Sequence, residues 1–207
     1  YYDTRRFTVS LVLNNKGPDP LPVALTVHSL HGERLDLPPL ELPGQSAETL
    51  SLNDLLQEAG ASFQEGSLEL RYHYEGCALV LSAGLILEDA AAGVAFDELL
   101  VRPHHRVSRR LEGLWWVPSA GSKLELVLSN QSDRPLTATV SGRSLGRAGE
   151  TKAIEVDLGP RRTRVLNLPR VWTLADHFGR EQWAAGSLTV THDGEPGDLV
   201  ARGMIED

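Results

Sequence analysis

Residues 10–25 read SLVLNNKGPDPLPVAL, and residues 125–140 read ELVLSNQSDRPLTATV. Set one above the other, Leu11, Leu13 and Asn15 fall on Leu126, Leu128 and Asn130, and Pro20 and Leu21 fall on Pro135 and Leu136. In both, apolar residues alternate with polar ones, a cluster of turn-forming residues follows, and a second alternating run begins. A period of two sends one face of a strand into a core and the other into water. Each stretch therefore reads as two strands joined through a turn.

The correspondence continues outward in the same order. Ser29 and Leu30 match Ser144 and Leu145, LPGQSAETLSL (42–52) matches LGPRRTRVLNL (158–168), GSLELRY (66–72) matches GSLTVTH (186–192), and AGLILED (83–89) matches ARGMIED (201–207). Blocks that keep their order along nearly the whole chain mark a tandem repeat. Within the first half, Phe7 to Leu13, Val23 to Val27, Leu50 to Leu52 and Leu68 to Tyr72 keep the period of two, and NNKGPDP, LHGE, LPGQ and YEG punctuate them. Short strands bounded by Gly, Pro, Asn and Asp predict an all-β sandwich or barrel. One helical turn interrupts each half. SLNDLLQEAG (51–60) offers Ser51 or Asn53 as N-cap and Gly60 as stop, and TLADHFG (173–179) offers Thr173 and Gly179.

The expected organisation is two immunoglobulin-like β-sandwiches in tandem, residues 1–92 and 114–207, each with a short helical turn between late strands. Residues 93–113 form a connector that adds an edge strand or lies along the seam. A repeat of about 90 residues is close to the roughly 100 of an immunoglobulin-type sandwich.

Composition narrows the function. The chain of 207 residues is globular in balance, with 41% hydrophobic and 23% charged residues. Residues 1–100 carry 5 Lys/Arg against 15 Asp/Glu, and residues 101–207 carry 15 against 13. An acidic first half argues against nucleic acid as a partner; the asymmetry reads first as solubility with a chance difference between the halves, and as an alternative it favours head-to-tail contact between copies. The single cysteine, Cys77, sits in an apolar run and reads as a small buried hydrophobe. No apolar run has transmembrane length, so no membrane span is expected. The opening YYDTRR lacks an initiator Met, and suggests a piece of something longer.

The paired turn-and-strand motifs resemble those of bacterial immunoglobulin-like or fibronectin-type repeats found in secreted and cell-surface proteins. The resemblance rests on Asn14, Asn15, Asp19 and Pro20, then Leu42, Pro43, Gly44, Leu50 and Leu52; in the second half on Asn130, Asp133 and Pro135, then Leu158, Pro160, Leu166 and Leu168. It implies an extracellular or cell-envelope location and a role as spacer, adhesive stalk or accessory module. These motifs specify turns and core, and carry no catalytic residues.

Candidate chemistry is sparse. GRSLG (142–146) fits the G-x-S-x-G esterase pattern, but that motif works on a strand-to-helix turn and here another strand is expected to follow, so Ser144 reads as a hairpin serine. His28 and His31 read as exposed strand-end histidines rather than metal ligands, which need one helix face and further ligands. His104 and His105 lie in a basic run, RPHHRVSRR, expected to pair with acidic residues of the first unit. His177 belongs to the second helical turn. Asp193, Glu195 and Asp198 in HDGEPGD are minority calcium candidates. No nucleotide fingerprint or zinc spacing occurs, and no cofactor is expected.

The aromatics are sorted: Tyr1, Tyr2, Tyr72 and Tyr74 in the first half, Trp115, Trp116, Trp172 and Trp183 in the second. By alignment Tyr1-Tyr2 corresponds to Trp115-Trp116. Adjacent strand residues point to opposite faces, so only one of each pair can enter its own core. Tyr1, Tyr2, Trp115 and Trp116 are therefore the binding candidates. The expected function is a non-enzymatic structural or assembly module, its partners protein, through self-association or neighbouring repeats. The alternative is an accessory module that binds carbohydrate through exposed Trp rings.

Overall fold

The alternating runs form strands, and their apolar positions meet inside. The structure, a computed structural model, describes residues 1–74, 80–91, 93–99, 108–116, 123–144, 151–168 and 185–206. The chain divides into two compact units, Tyr1–Arg102 and Pro103–Asp207. The division falls inside the 93–113 segment.

Unit 1 runs β1 (Tyr2–Asp3), β2 (Thr8–Asn15), β3 (Leu21–Ser29), β4 (Arg34–Asp36), β5 (Leu40–Leu42), β6 (Ser46–Ser51), α1 (Leu52–Glu58), β7 (Glu65–Tyr72), β8 (Leu81–Asp89) and β9 (Val94–Leu99). One sheet has the order β1-β7-β3-β4, with β5 also on β3; the other has the order β6-β2-β8-β9. Every pairing is antiparallel. Val9, Leu11 and Leu13 of β2 and Leu85 and Leu87 of β8 meet Val23, Leu25 and Val27 of β3 in one core. Each such side chain contributes about 1.5–3 kcal/mol when fully buried.

The helix follows the cap expected from sequence. Ser51 Oγ accepts the Asp54 N–H at 3.2 Å. Leu52 and Leu56 are buried in the core, and the chain leaves through Gly60 at φ +67°. Asn53 is not the cap: its Oδ1 accepts the Val9 N–H at 2.9 Å and ties α1 to β2. The counterpart at 173–179 lies outside the described residues.

Unit 2 runs β10 (Arg110–Trp116), β11 (Lys123–Asn130), β12 (Leu136–Ser144), β13 (Thr151–Leu158), β14 (Thr163–Asn167), β15 (Ala185–His192) and β16 (Leu199–Glu206). Its sheets are β10-β15-β12-β13 and β14-β11-β16, again antiparallel. Leu126 and Leu128 of β11, Ala138 and Val140 of β12, Val190 of β15 and Leu199 of β16 share the core. The fold class is all-β, two antiparallel sheets around one core in each unit.

The repeated Asn holds the same corner in both units. Asn15 is fully buried, and its Nδ2 donates to Asp19 O, Leu42 O and Pro43 O at 2.9, 3.2 and 3.0 Å, while its Oδ1 accepts the Gly17 N–H at 3.0 Å. Asn130 Nδ2 donates to Arg134 O, Leu158 O and Gly159 O at 2.7, 3.3 and 2.9 Å, and its Oδ1 accepts the Ser132 N–H at 2.8 Å. The facing turn is matched too. Gln45 and Arg161 take left-handed backbone at φ 53° and 56°, and their N–H groups donate to Gly17 O and Ser132 O. One side chain thus satisfies backbone groups from two connections, which chain irregularity would otherwise leave unpaired in the interior.

Three places differ between the units. Pro38 and Pro39 split into β4 and β5 what is one strand, β13, in unit 2, and the pairing on β3 slips by one residue between them. The strand before the first corner is two residues long in unit 1 and seven in unit 2. Finally, β8 lies between β2 and β9, whereas its counterpart β16 pairs only with β11 among the described residues.

Candidate functional site

A strand at the rim of a sheet leaves a row of N–H and C=O groups able to pair with another chain. Unit 1 limits this on the flank of β1 and β9. There β1 is short, and Tyr1 to Arg5 cover the start of β7 with polar side chains. Tyr1 Oη donates to Glu65 Oε1 at 2.7 Å, Arg5 Nε donates to Asp3 Oδ1 at 3.1 Å, and Arg5 also pairs with Glu65. The hydrogen bond that Arg5 donates to Asp3 is the main cause holding its guanidinium above its ordinary pKa.

On the same flank of unit 2 the rim strands among the described residues are β10 and β16. β10 pairs with β15 alone and β16 with β11 alone among the described residues, and the two rim strands approach each other across the sandwich. Leu111 of β10 packs against the core, so Leu114, three residues on, is on the opposite face by strand alternation. Leu114 is 81% exposed, the one exposed large apolar side chain among the described residues. On β16 Leu199 lies in the core, and Ala201 and Ile205 pack against it. A Cβ added at Gly203 or Gly113 would meet nothing within 4 Å.

The aromatic candidates separate. Tyr2 is fully buried in the core, its hydroxyl without a hydrogen-bond partner, and burial above all, then the charge of Glu65, raises its pKa well beyond the ordinary phenol value. A ligand in solvent does not reach that ring. Tyr1 is half-buried, its hydroxyl bonded to Glu65. The pairing across the sheets corrects the alignment by one residue: Tyr2 stands opposite Gly66 and Trp115 opposite Gly186, so Trp115 holds the place of Tyr2, not of Tyr1. Trp115 and Trp116 occupy the end of β10, opposite Gly186 and Ala185. Trp172 and Trp183 lie outside the described residues, as do Cys77, His104, His105 and His177.

The remaining polar candidates have structural occupations. Asp193 Oδ1 accepts the Thr137 N–H at 2.8 Å, Asp198 Oδ2 accepts the Glu195 N–H at 2.8 Å, and Glu195 Oε2 accepts from Arg109 at 2.9 Å. The three carboxylates point to different donors, and among the described residues no three His, Cys, Asp or Glu side chains are placed to hold a metal ion. Gly142, Arg143 and Ser144 are paired residues of β12, opposite Leu188, Ser187 and Gly186, and Leu145 and Gly146 of the pattern lie outside the described residues. In unit 1 the equivalent Ser29 is buried and its Oγ accepts the N–H groups of His31 and Glu33, closing the hairpin.

One expectation is corrected. His31 is exposed as foreseen, but His28 is buried at 6% exposure, its Nε2 standing 3.6 Å from Glu69 Oε2 with neither ring nitrogen hydrogen-bonded. Sequence pattern hid this because His28 faces outward from β3 and is covered there by its neighbours. The basic run meets acids of its own unit where it is described: Arg109 pairs with Glu195, and Arg110 with Glu112.

One buried titratable group was missed. His192, at the inner end of β15, is 8% exposed and neither ring nitrogen has a hydrogen-bond partner. Burial depresses its pKa below the ordinary value, against the opposing pull of Asp198 and Asp193. It stands where unit 1 has Tyr72, a substitution that gave no signal as a core position. No described helix is long and apolar enough to cross a membrane. Compared with known proteins, the chain matches no family model and resembles no curated protein at a significant level.

Proposed function

We propose that the chain is a non-enzymatic structural module that assembles by protein–protein contact, self-association first, within an extracellular or cell-envelope protein. The observation that carries the reading is the exposed Leu114 on β10, a rim strand that pairs with β15 alone among the described residues. A rim that natural sheets usually shorten, charge or cover is instead left long and partly apolar. The turn motifs' resemblance to surface-protein repeats supports the location. The structural use of Ser29, Asp193, Glu195 and Asp198 supports the absence of catalysis.

The test is sedimentation velocity across a wide concentration range. The native chain is expected to form reversible oligomers, and Leu114→Asp to shift association to higher concentration without changing the unfolding midpoint, because an 81% exposed side chain contributes little to the core. A strict monomer at every concentration and salt level refutes the reading.

A further inference from the structure

His192 ends β15 with its ring inside unit 2, 8% exposed, and neither ring nitrogen has a hydrogen-bond partner. A neutral imidazole carries one N–H donor; a charged one carries two. Charging the ring where it stands leaves both N–H groups unpaired and a charge out of water. Burial accordingly holds its pKa below the ordinary value.

The connection from His192 to β16, residues 193–198, fastens three other parts of the unit. Before β10, the His192 N–H donates to Arg109 O, and Arg109 Nη2 donates to Glu195 Oε2 at 2.9 Å. At the β11–β12 turn, the Gln131 N–H donates to Asp198 O, and Arg134 stands 3.7 Å from Asp198 Oδ2. At the start of β12, the Thr137 N–H donates to Asp193 Oδ1. Asp198 Oδ2 also accepts the Glu195 N–H at 2.8 Å, which closes the connection on itself.

Three charged groups act on the ring. Asp198 and Asp193 favour the imidazolium, and Arg109 opposes it. β12 presents Ala138 opposite His192, and β16 begins with the buried Leu199, neither of them charged. Arg134 and Glu195 act one step away, on Asp198 and Arg109. Asp198 is the carboxylate within reach. A Cβ placed on Gly194 would stand 2.9 Å from Asp198 Oδ2 and 3.3 Å from His192 Nδ1, so the carboxylate and the ring nitrogen border the same space.

We propose that His192 and Asp198 form an acid-operated latch: when His192 takes a proton, Asp198 leaves the Glu195 N–H for the imidazolium, and the connection lets go of Arg109. The two states differ in which donor Asp198 serves. In the released state Asp198 and water reach the ring, so that state binds the proton more tightly and acid favours it. Release begins as pH falls below about 6.5 and is complete below the closed state's own, lower pKa. Arg109 comes just before β10, so acid frees the stretch by which the chain enters unit 2. Unit 1 lacks the device, since Tyr72 holds the place of His192.

An NMR titration of the full-length chain tests this, following the His192 ring and the backbone amides of Glu195 and His192. Both amides are expected to lose at least about tenfold in exchange protection with the midpoint of the ring itself, while the amides of β11 and β12 stay protected. Asp198→Asn still offers the Glu195 N–H an acceptor but no negative charge, and should move the ring midpoint to lower pH. His192→Phe should leave the Glu195 amide unchanged across the range. Amides that do not follow the ring, or that respond equally in His192→Phe, overturn the inference. So does a ring that titrates only as tryptophan fluorescence reports unfolding of the whole unit. The native titration and Asp198→Asn decide the matter even where His192→Phe fails to fold.

Discussion

Replacing Asn15 by Ala removes a side chain that makes four hydrogen bonds to backbone groups: three donated to Asp19 O, Leu42 O and Pro43 O, one accepted from Gly17 N–H. Each bond contributes about 1 kcal/mol net, and the buried groups left behind have no replacement partner. The expected loss is about 3–5 kcal/mol, a large share of the roughly 5–15 kcal/mol that holds a domain folded. For a unit of this size it lowers Tm by roughly 15–30 °C. Asn130→Ala should cost unit 2 a similar amount, because Asn130 makes the corresponding bonds to Arg134 O, Leu158 O, Gly159 O and Ser132 N–H. Asn15→Asp, equal in size, should be worse than Ala near neutral pH, since it turns a carboxylate oxygen towards the carbonyls. The sorted aromatics make the assay specific. All Tyr belong to unit 1 and all Trp to unit 2, so near-ultraviolet tyrosine signals and tryptophan fluorescence follow the two units separately in a urea titration. Losses below about 1 kcal/mol at both positions, or a loss at one and none at the other, refute the view that one corner device is used twice.

Two further outcomes are expected. His192 is buried and its pKa is depressed in the folded unit. The unfolded chain therefore binds the proton first, and the stability of unit 2 should fall as pH drops below about 6.5 towards the folded value, and be fully present above it; His192→Phe should flatten that slope in urea midpoints read by tryptophan fluorescence. Gln45 holds left-handed backbone at φ 53°, so Gln45→Gly should stabilise unit 1 by roughly 0.5–1 kcal/mol, seen as a higher urea midpoint; a lower midpoint rules out strain at that turn.

The sequence showed the paired strands plainly because their signal is local: alternation at Leu11 and Leu13 or Leu126 and Leu128, with Asn, Pro and Gly between. The α1 cap was equally legible, since Ser51, Asp54 and Gly60 act within one turn. What escaped depends on contacts far along the chain. That Asn15 reaches Leu42 and Pro43 is set by the return of a distant connection. Left-handed Gln45 and Arg161 gave no warning, because neither is Gly. The aromatic pairs were aligned one residue out, and a one-residue slip exchanges the two faces of a strand. His28 and His192 looked like surface residues because polar side chains carry no burial signal of their own. The sheet order was invisible for a different reason: β8 and β16 are matched in sequence, yet among the described residues β8 has two neighbours and β16 has one.

Amide hydrogen exchange, resolved residue by residue at low and high protein concentration, tests this asymmetry most directly. Alternate amides of a rim strand face outward and exchange freely until a partner pairs with them. The β8 amides should be protected at every concentration. The outward half of the β16 amides should exchange quickly when the protein is dilute and slow as it is concentrated. Protection of β16 equal to that of β8 in dilute solution, or exchange unchanged by concentration, would contradict an open edge that serves assembly.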